Sequence, residues 1–208
     1  MNIYEHIDYT FLKPTATDND IYKLCDTAIV KGCASVCIPS KFVGGVKEMY
    51  EEDLTVCTVV GFPFGNSTLE TKIAEAKLAI EEGANEIDMV MDIGTFKSGN
   101  HYYLKCEIEA IAEVMPKKAI LKVIIETCYL TDEEIAIATK VVDESLADYV
   151  KTSTGFGSRG ASFRDIEIMK ANIHNGTKIK ASGGIRTKED MERYIEMGCD
   201  RIGASVLP

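Results

Sequence analysis

The sequence predicts an α/β protein folded as a (β/α)8 barrel, the TIM-barrel architecture, with a truncated or absent eighth helix. Short apolar segments rich in β-branched residues alternate with longer amphipathic segments along the 208 residues. This alternation indicates a parallel sheet, and eight repeats of about 25 residues favour a closed barrel over an open sheet. We expect residues 1–208 to form a single domain, because a chain of this length suits one core.

Eight strands are predicted in chain order. They cover residues 6–11, 34–38, 54–61, 85–91, 119–126, 148–152, 178–182 and 201–204. Only Val206, Leu207 and Pro208 follow the motif DRIGAS that ends the last strand. The eighth helix is therefore expected to be truncated or absent.

Two of the intervening helices have clear signatures. Residues 68–82 carry apolar side chains at helical spacing, and Gly83 provides a stop signal at the C-terminal end. Thr131 is followed three residues later by Glu134, which predicts a capping box at the start of another helix.

Charge and cysteine content exclude several classes of function. The formal net charge of -10 argues against nucleic acid as the main partner, since phosphate-backbone binding needs clustered cations. The N-terminus lacks the apolar region of a signal peptide, and no apolar run reaches the roughly 20 residues of a membrane span. The seven cysteines show no metal-ligand spacing, so we expect reduced thiols, no metal site and a cytoplasmic location.

Four consecutive predicted strands carry charge where apolar residues are expected. Asp88 lies in the fourth strand, Lys122 in the fifth, Lys151 at the end of the sixth and Lys180 in the seventh. The period-2 alternation of neighbouring strands allows Asp88 to lie beside Lys122. Because isolated buried charges are costly and these barrels carry their sites at the carboxyl ends of strands, these four are candidate catalytic groups.

Lys151 and Lys180 are expected to lie close together on neighbouring strands. Two adjacent ammonium groups disfavour each other's charge, so one of them should be neutral near pH 7. Lowering the pKa of a lysine from near 10.4 to about 7 takes roughly 4 to 5 kcal/mol. The resulting free amine is a nucleophile that can form a Schiff base with a carbonyl substrate.

The glycine-rich loop GFGSRG after the sixth strand matches the dinucleotide pattern G-x-G-x-x-G. That pattern normally lies in a first strand–helix turn with an acidic residue about 20 positions later, so a dinucleotide site is disfavoured here. Gly183 and Gly184 after the seventh strand, with Gly203 and Ser205 at the end of the eighth, fit the phosphate site that such barrels build from these two loops. The alternative is that these glycines only serve tight turns, and the phosphate site is the favoured interpretation.

Taken together, the motifs resemble those of the DeoC family of class I aldolases, the deoxyribose-phosphate aldolases. The matching segments, in family order, are IDYTFLKPTAT (7–17), ASVCIPSKFV (34–43), VVGFPFGNSTLETKIAEA (59–76), GANEIDMVMDIG (83–94), LKVIIET (121–127), DYVKTSTGF (148–156), KASGGIRT (180–187) and RIGAS (201–205). The resemblance implies reversible cleavage of 2-deoxy-D-ribose 5-phosphate to D-glyceraldehyde 3-phosphate and acetaldehyde, without a metal or organic cofactor. It also suggests a homodimer.

The resemblance implies a role for each matched residue. Lys151 would form the Schiff base, Lys180 would favour its neutral form, and Asp88 would act as acid and base with an ordered water. The residues implied to contact substrate are Asp8, Thr10, Cys37, Lys122 and Thr154, and those implied to line the phosphate site are Gly155, Gly183, Gly184, Gly203 and Ser205. The family usually continues past the last strand with a small polar residue where this chain has Val206, which weakens the expected phosphate site.

Two other functions fit the same residues. A phosphosugar isomerase would use Asp88 as the base and Lys151 as an electrophile, without an imine. A phosphosugar-binding barrel with weak or no catalysis would use the phosphate loops alone. Formation of a reducible adduct on Lys151 distinguishes the aldolase from both.

Overall fold

The computed structural model describes residues 2–208, and its eight strands form a closed barrel with every neighbouring pair parallel. The strands are β1 (Ile7–Thr10), β2 (Ser35–Cys37), β3 (Val56–Val60), β4 (Glu86–Val90), β5 (Ile120–Ile124), β6 (Tyr149–Lys151), β7 (Lys178–Ser182) and β8 (Arg201–Ala204). They follow one another around the barrel in sequence order, and β8 closes on β1. The predicted fold class and strand count are confirmed.

The helices lie in the connections between strands. They are α1 (Asp18–Lys31), α2 (Val43–Tyr50), α3 (Leu69–Glu81), α4 (Ile93–Lys97), α5 (His101–Glu113), α6 (Asp132–Asp143), α7 (Phe163–Ala171) and α8 (Lys188–Glu196). Both α4 and α5 follow β4, and no helix follows β8 within residues 2–208. None of the helices among these residues is long and apolar enough to cross a membrane.

Side-chain caps fix where the helices begin. Thr68 accepts a hydrogen bond from the backbone N–H of Thr71 at the start of α3, and the predicted capping box between Thr131 and Glu134 starts α6. Such caps satisfy backbone N–H groups that have no partner within the helix. The caps therefore set the length of the loops that surround the carboxyl ends of the strands.

The two faces of each strand differ in chemistry. Ile87 of β4 and Val123 of β5 belong to the same buried apolar cluster as Ile108 of α5, which packs sheet and helices together. Glu86 and Asp88 alternate with Ile87 and lie on the opposite face. The barrel interior, unlike the layer between sheet and helices, therefore contains buried charge.

The first six strands are shorter than predicted, whereas β7 and β8 have the predicted bounds, and the clearest difference is at the end of β5. The sequence predicts a strand through Glu126, but β5 ends at Ile124, and Glu126 adopts a left-handed backbone conformation with φ 50°. A 3₁₀ turn, Thr127–Tyr129, follows directly. The chain thus leaves the sheet two residues early, which moves Glu126 out of the barrel wall toward the β6–α7 loop.

Candidate active site

Strand register brings the interior charges together. Asp88 of β4 is opposite Lys122 of β5, and Lys151 of β6 is opposite Lys180 of β7, as the alternation predicts. Arg201 of β8 is in turn opposite Lys180. Parallel in-register strands direct these side chains to the same side of the sheet.

Asp88 contacts three lysines in the barrel interior. Its Oδ1 lies 2.7 Å from Nζ of Lys122. Its Oδ2 lies 2.7 Å from Nζ of Lys151 and 2.7 Å from Nζ of Lys180. Because Lys151 and Lys180 share a single oxygen, their nitrogens are neighbours, as the sequence predicts.

Two further carboxylates complete the interior charge cluster, which we define as Asp8, Glu86, Asp88, Lys122, Lys151, Lys180 and Arg201. Asp8 contacts Nζ of Lys180 at 2.5 Å and the guanidinium of Arg201 at 2.5 Å. Glu86 contacts Nζ of Lys122 at 2.6 Å and Arg201 at 3.4 Å. All three carboxylates are buried, so each is compensated by cations rather than by solvent.

The ion pairs determine the protonation of most of these groups. Burial alone would raise the pKa of Asp88, but Lys122, Lys151 and Lys180 hold it well below its usual range. Burial would lower the pKa of Lys180, but Asp8 and Asp88 raise it above its usual value. Asp88 is therefore ionised and Lys180 is protonated at neutral pH.

The interior charge cluster contains one more cation than carboxylates. Its three carboxylates face Lys122, Lys151, Lys180 and Arg201. Lys122 contacts three of the carboxylates, Lys180 and Arg201 contact two each, and Lys151 contacts Asp88 alone. Lys151 is thus the least compensated cation of the group.

A cavity of about 330 Å³ opens at the carboxyl ends of the strands, directly beside the interior charge cluster. Its wall contains Thr10, Phe11, Leu12, Lys13, Lys151, Thr154, Gly155, Phe156, Ser182, Gly183, Gly184, Ile185, Arg186, Gly203, Ala204 and Ser205. Lys151 is the only member of the interior charge cluster in this wall. A ligand in the cavity can therefore reach this amine, while the other charged groups lie behind it.

Comparison with known proteins decides the family. A family model described as DeoC/LacD family aldolase matches residues 5–205. The chain belongs to this family of aldolases. The match covers the whole barrel from the turn before β1 to the end of β8.

Individual relatives agree with this assignment. The chain is 51% identical to a deoxyribose-phosphate aldolase of Clostridium botulinum, over 98% of this chain and 91% of that protein. It is 49% identical to a deoxyribose-phosphate aldolase of Treponema denticola, over 99% of this chain and 96% of that protein. The solved tetrameric deoxyribose phosphate aldolase of Aeropyrum pernix superposes with a TM-score of 0.88 at 31% identity, over 98% of this chain and 86% of that chain.

The site residues expected from the aldolase resemblance divide into two groups by position. Eight of them lie in the cavity wall: Thr10, Lys151, Thr154, Gly155, Gly183, Gly184, Gly203 and Ser205. The others, Asp8, Cys37, Asp88, Lys122 and Lys180, are buried beneath that wall. Substrate contact by Asp8, Cys37 and Lys122 therefore requires an opening between the wall residues.

Close packing of the GFGSRG loop against the turn after β7 explains the glycine at Gly183. It adopts φ +84°, and a Cβ there would meet the Cα of Gly160 at 2.9 Å. Gly160 belongs to the GFGSRG loop, so this loop supports the β7–α8 turn. The neighbouring Arg159 pairs with Asp165 at 2.6 Å, which fixes the loop from its other side.

Sequence reasoning missed several residues that the geometry brings to this aldolase site. Exposed Lys13 and Arg186 stand at the cavity mouth and add positive charge to an acidic protein. Arg201 completes the interior charge cluster, and its strand position next to GAS was the available signal. Glu126, two residues after the end of β5, contacts Thr154 of the cavity wall.

Cys37, Cys57 and Asp88 lie close enough to share a metal ion. However, Nζ of Lys122 lies 3.2 Å from Sγ of Cys57 and 2.7 Å from Oδ1 of Asp88. Burial raises the pKa of the Cys57 thiol well above its usual value, which disfavours the thiolate that a metal needs. The ammonium of Lys122 already neutralises this group of donors, so we assign no metal site here.

Proposed function

We propose that the protein reversibly cleaves 2-deoxy-D-ribose 5-phosphate to D-glyceraldehyde 3-phosphate and acetaldehyde through a Schiff base on Lys151. One observation carries the proposal: Lys151 is the least compensated cation of the interior charge cluster and the only one in the cavity wall. The names of relatives about half identical to this chain support the choice of substrate.

Lys151 acts as the nucleophile. Among the cations of the interior charge cluster, Lys151 has the fewest carboxylate contacts and is the one that a ligand can reach from the cavity, so it supplies the reacting amine. After the ammonium releases a proton, Nζ forms a bond to carbon 1 of the open-chain sugar; that proton and one N–H proton pass to the carbonyl oxygen, which leaves as water. The product is a protonated imine, which withdraws electrons from the neighbouring carbons.

Asp88 orients the amine and accepts protons. The bond between carbons 2 and 3 breaks, and its electron pair forms an enamine conjugated with the imine nitrogen. The proton of the carbon 3 hydroxyl passes through water toward Asp88, whose low pKa means that it holds a proton only briefly. Carbon 2 of the enamine is then protonated, and water hydrolyses the imine to release acetaldehyde.

The phosphate binds where the β7 and β8 loops meet. Backbone N–H groups around Gly155, Gly183, Gly184, Gly203 and Ser205 supply donors without side-chain charge. Lys13 and Arg186 at the mouth add the local positive charge that an anionic substrate needs in a chain of net charge -10.

The organisation of the molecule follows from the same proposal. We infer that residues 1–208 act as a single domain and that the protein works in the cytoplasm as a homodimer. No cofactor is required, because the protonated imine provides the electron sink. Sedimentation of the purified chain would test the dimer.

Product analysis tests the reaction. The purified protein is incubated with 2-deoxyribose 5-phosphate, and both acetaldehyde and glyceraldehyde 3-phosphate are quantified. Equimolar formation of the two supports the aldolase. Formation of a ketose phosphate instead would support an isomerase, and binding without either product would support a phosphosugar-binding barrel.

A further inference from the structure

Glu126 is a buried acid in a strained backbone position. The whole residue is only 1% exposed to solvent. Its φ of 50° lies in the left-handed region, where a non-glycine residue is strained. Among residues 2–208, Glu51 is the one other non-glycine residue with positive φ, and it lies on an exposed turn after α2.

The carboxylate of Glu126 accepts three hydrogen bonds from Thr154 and also interacts with the thiol of Cys128. The backbone N–H of Thr154 donates to both carboxylate oxygens at 3.3 Å, and its hydroxyl donates to Oε2. The hydroxyl oxygen in turn accepts from the backbone N–H of Phe156 at 3.0 Å. A hydroxyl has one hydrogen to donate, and the Thr154 hydroxyl oxygen already accepts from Phe156. Its hydrogen therefore points to Glu126, which must act as an acceptor.

These bonds fix the turn formed by Thr154, Gly155 and Phe156. All three residues line the cavity, and Gly155 has φ +85° with its Cβ position 3.9 Å from the Cα of Gly183. The turn follows Lys151 by three residues on the same loop. Its backbone therefore connects the amine with the glycines expected to hold phosphate.

We propose that Glu126 is a positioning residue that holds the Thr154–Gly155–Phe156 turn so that its backbone can receive the substrate phosphate. The inference rests on the proposed function. Glu126 touches neither the cavity nor the reacting carbons, so it acts through Thr154. The local backbone strain is offset by the three hydrogen bonds that the two carboxylate oxygens accept.

Glu126→Gln provides the test, because the amide keeps the shape but loses one of the two acceptor oxygens. We expect KM for 2-deoxyribose 5-phosphate to rise about ten- to a hundredfold, from the loss of a charge-assisted hydrogen bond. For unphosphorylated 2-deoxyribose, kcat/KM should change less than about twofold. An equal loss on both substrates would overturn the proposal.

The direction of the change in phosphate affinity distinguishes a positioning role of Glu126 from a simple effect of its negative charge. Removing a negative charge would by itself tighten the binding of a phosphate dianion. We expect the opposite: calorimetry should give a higher Kd for inorganic phosphate in Glu126→Gln than in wild type. Unchanged or tighter phosphate binding in that variant would contradict it, and this readout needs no turnover.

Two more variants keep the experiment decisive. Glu126→Gly removes the carboxylate and relieves the strained φ, so it should fold even where the Gln variant does not and show the same loss of phosphate affinity. Glu51→Gln changes the other strained glutamate and should leave both substrates unaffected. If wild type binds phosphate but releases no acetaldehyde, the proposed function fails while the positioning role is still tested by Kd.

Discussion

Two sets of buried and partly buried charges differ in a way that separates architecture from chemistry. Lys72 of α3 and Glu107 of α5 form an isolated pair, with Nζ 2.5 Å from Oε1 and both side chains at 0% exposure. Lys72 also donates to the carbonyl of Val90 at 2.8 Å, and Glu107 accepts from the N–H of Asp92 at 3.0 Å. The pair therefore ties two helices to the carboxyl end of β4.

The interior charge cluster has neither of these properties. The Lys72–Glu107 pair is balanced one to one and lies away from the cavity wall, whereas the cluster has a surplus cation that lines it. A balanced pair has no surplus charge to lose, while a surplus cation beside a cavity can become a free amine. Burial of charge alone is thus no sign of a catalytic site; imbalance and access are.

The largest effect is expected for Lys151→Ala. Turnover should fall by a factor on the order of 10⁴ or more, because no imine can form. The melting temperature should stay the same or rise, since the variant removes the surplus charge. Activity within tenfold of wild type would break the comparison, and a coupled acetaldehyde assay with a thermal melt measures both quantities.

Lys180→Met should have the next largest effect. It removes the cation that shares Oδ2 of Asp88 with Lys151 and leaves Asp8 with Arg201 as its close partner. We expect kcat to fall about 10²-fold or more and the acidic limb of the pH–rate profile to move. An unchanged profile would show that the second lysine has no influence on the first.

Lys72→Met should lower stability and leave activity nearly unchanged, which is the opposite of the result expected for Lys151→Ala. Breaking a buried pair leaves Glu107 uncompensated, so the free energy of unfolding should fall by about 3–5 kcal/mol. The kcat of the folded fraction should stay within about twofold of wild type. Adding Glu107→Leu should restore part of the stability, and urea titrations of the single and double variants test this.

The smallest expected effect is on the pH dependence of stability. As pH falls, the contribution of Asp8 in the interior charge cluster should decrease and that of the Lys72–Glu107 pair should increase. Burial would raise the pKa of Asp8, but Lys180 and Lys122 together lower it by a larger amount. The ionised carboxylate therefore stabilises the fold above about pH 4, and this contribution is lost as pH falls below that. Burial raises the pKa of Glu107, which Lys72 only partly offsets, so its contribution improves as pH falls from 7 toward 4.

Paired variants measure this difference. Urea unfolding of Asp8→Asn should show less loss of stability than wild type between about pH 4 and 2. Glu107→Gln should lose the improvement between pH 7 and 4. The same sign for both variants would mean that the two environments do not differ as described.

Much of the fold and the site was predictable because both depend on short-range pattern. Period-2 alternation places Asp88 beside Lys122, and the order of strands places Lys151 beside Lys180. Arg201 and Glu86 were harder to place, because their pairing depends on closure of β8 onto β1. Glu126 reads as the end of a strand, and only its positive φ turns it toward Thr154.

The identity of the reactive lysine is the central claim, and mapping of a reduced adduct tests it most directly. The protein is incubated with acetaldehyde and borohydride, digested, and the ethylated lysine is located by mass spectrometry. We expect one ethyl group, on Lys151, with Lys122 and Lys180 unmodified. An adduct on either of those two lysines, or none with active protein, would contradict it.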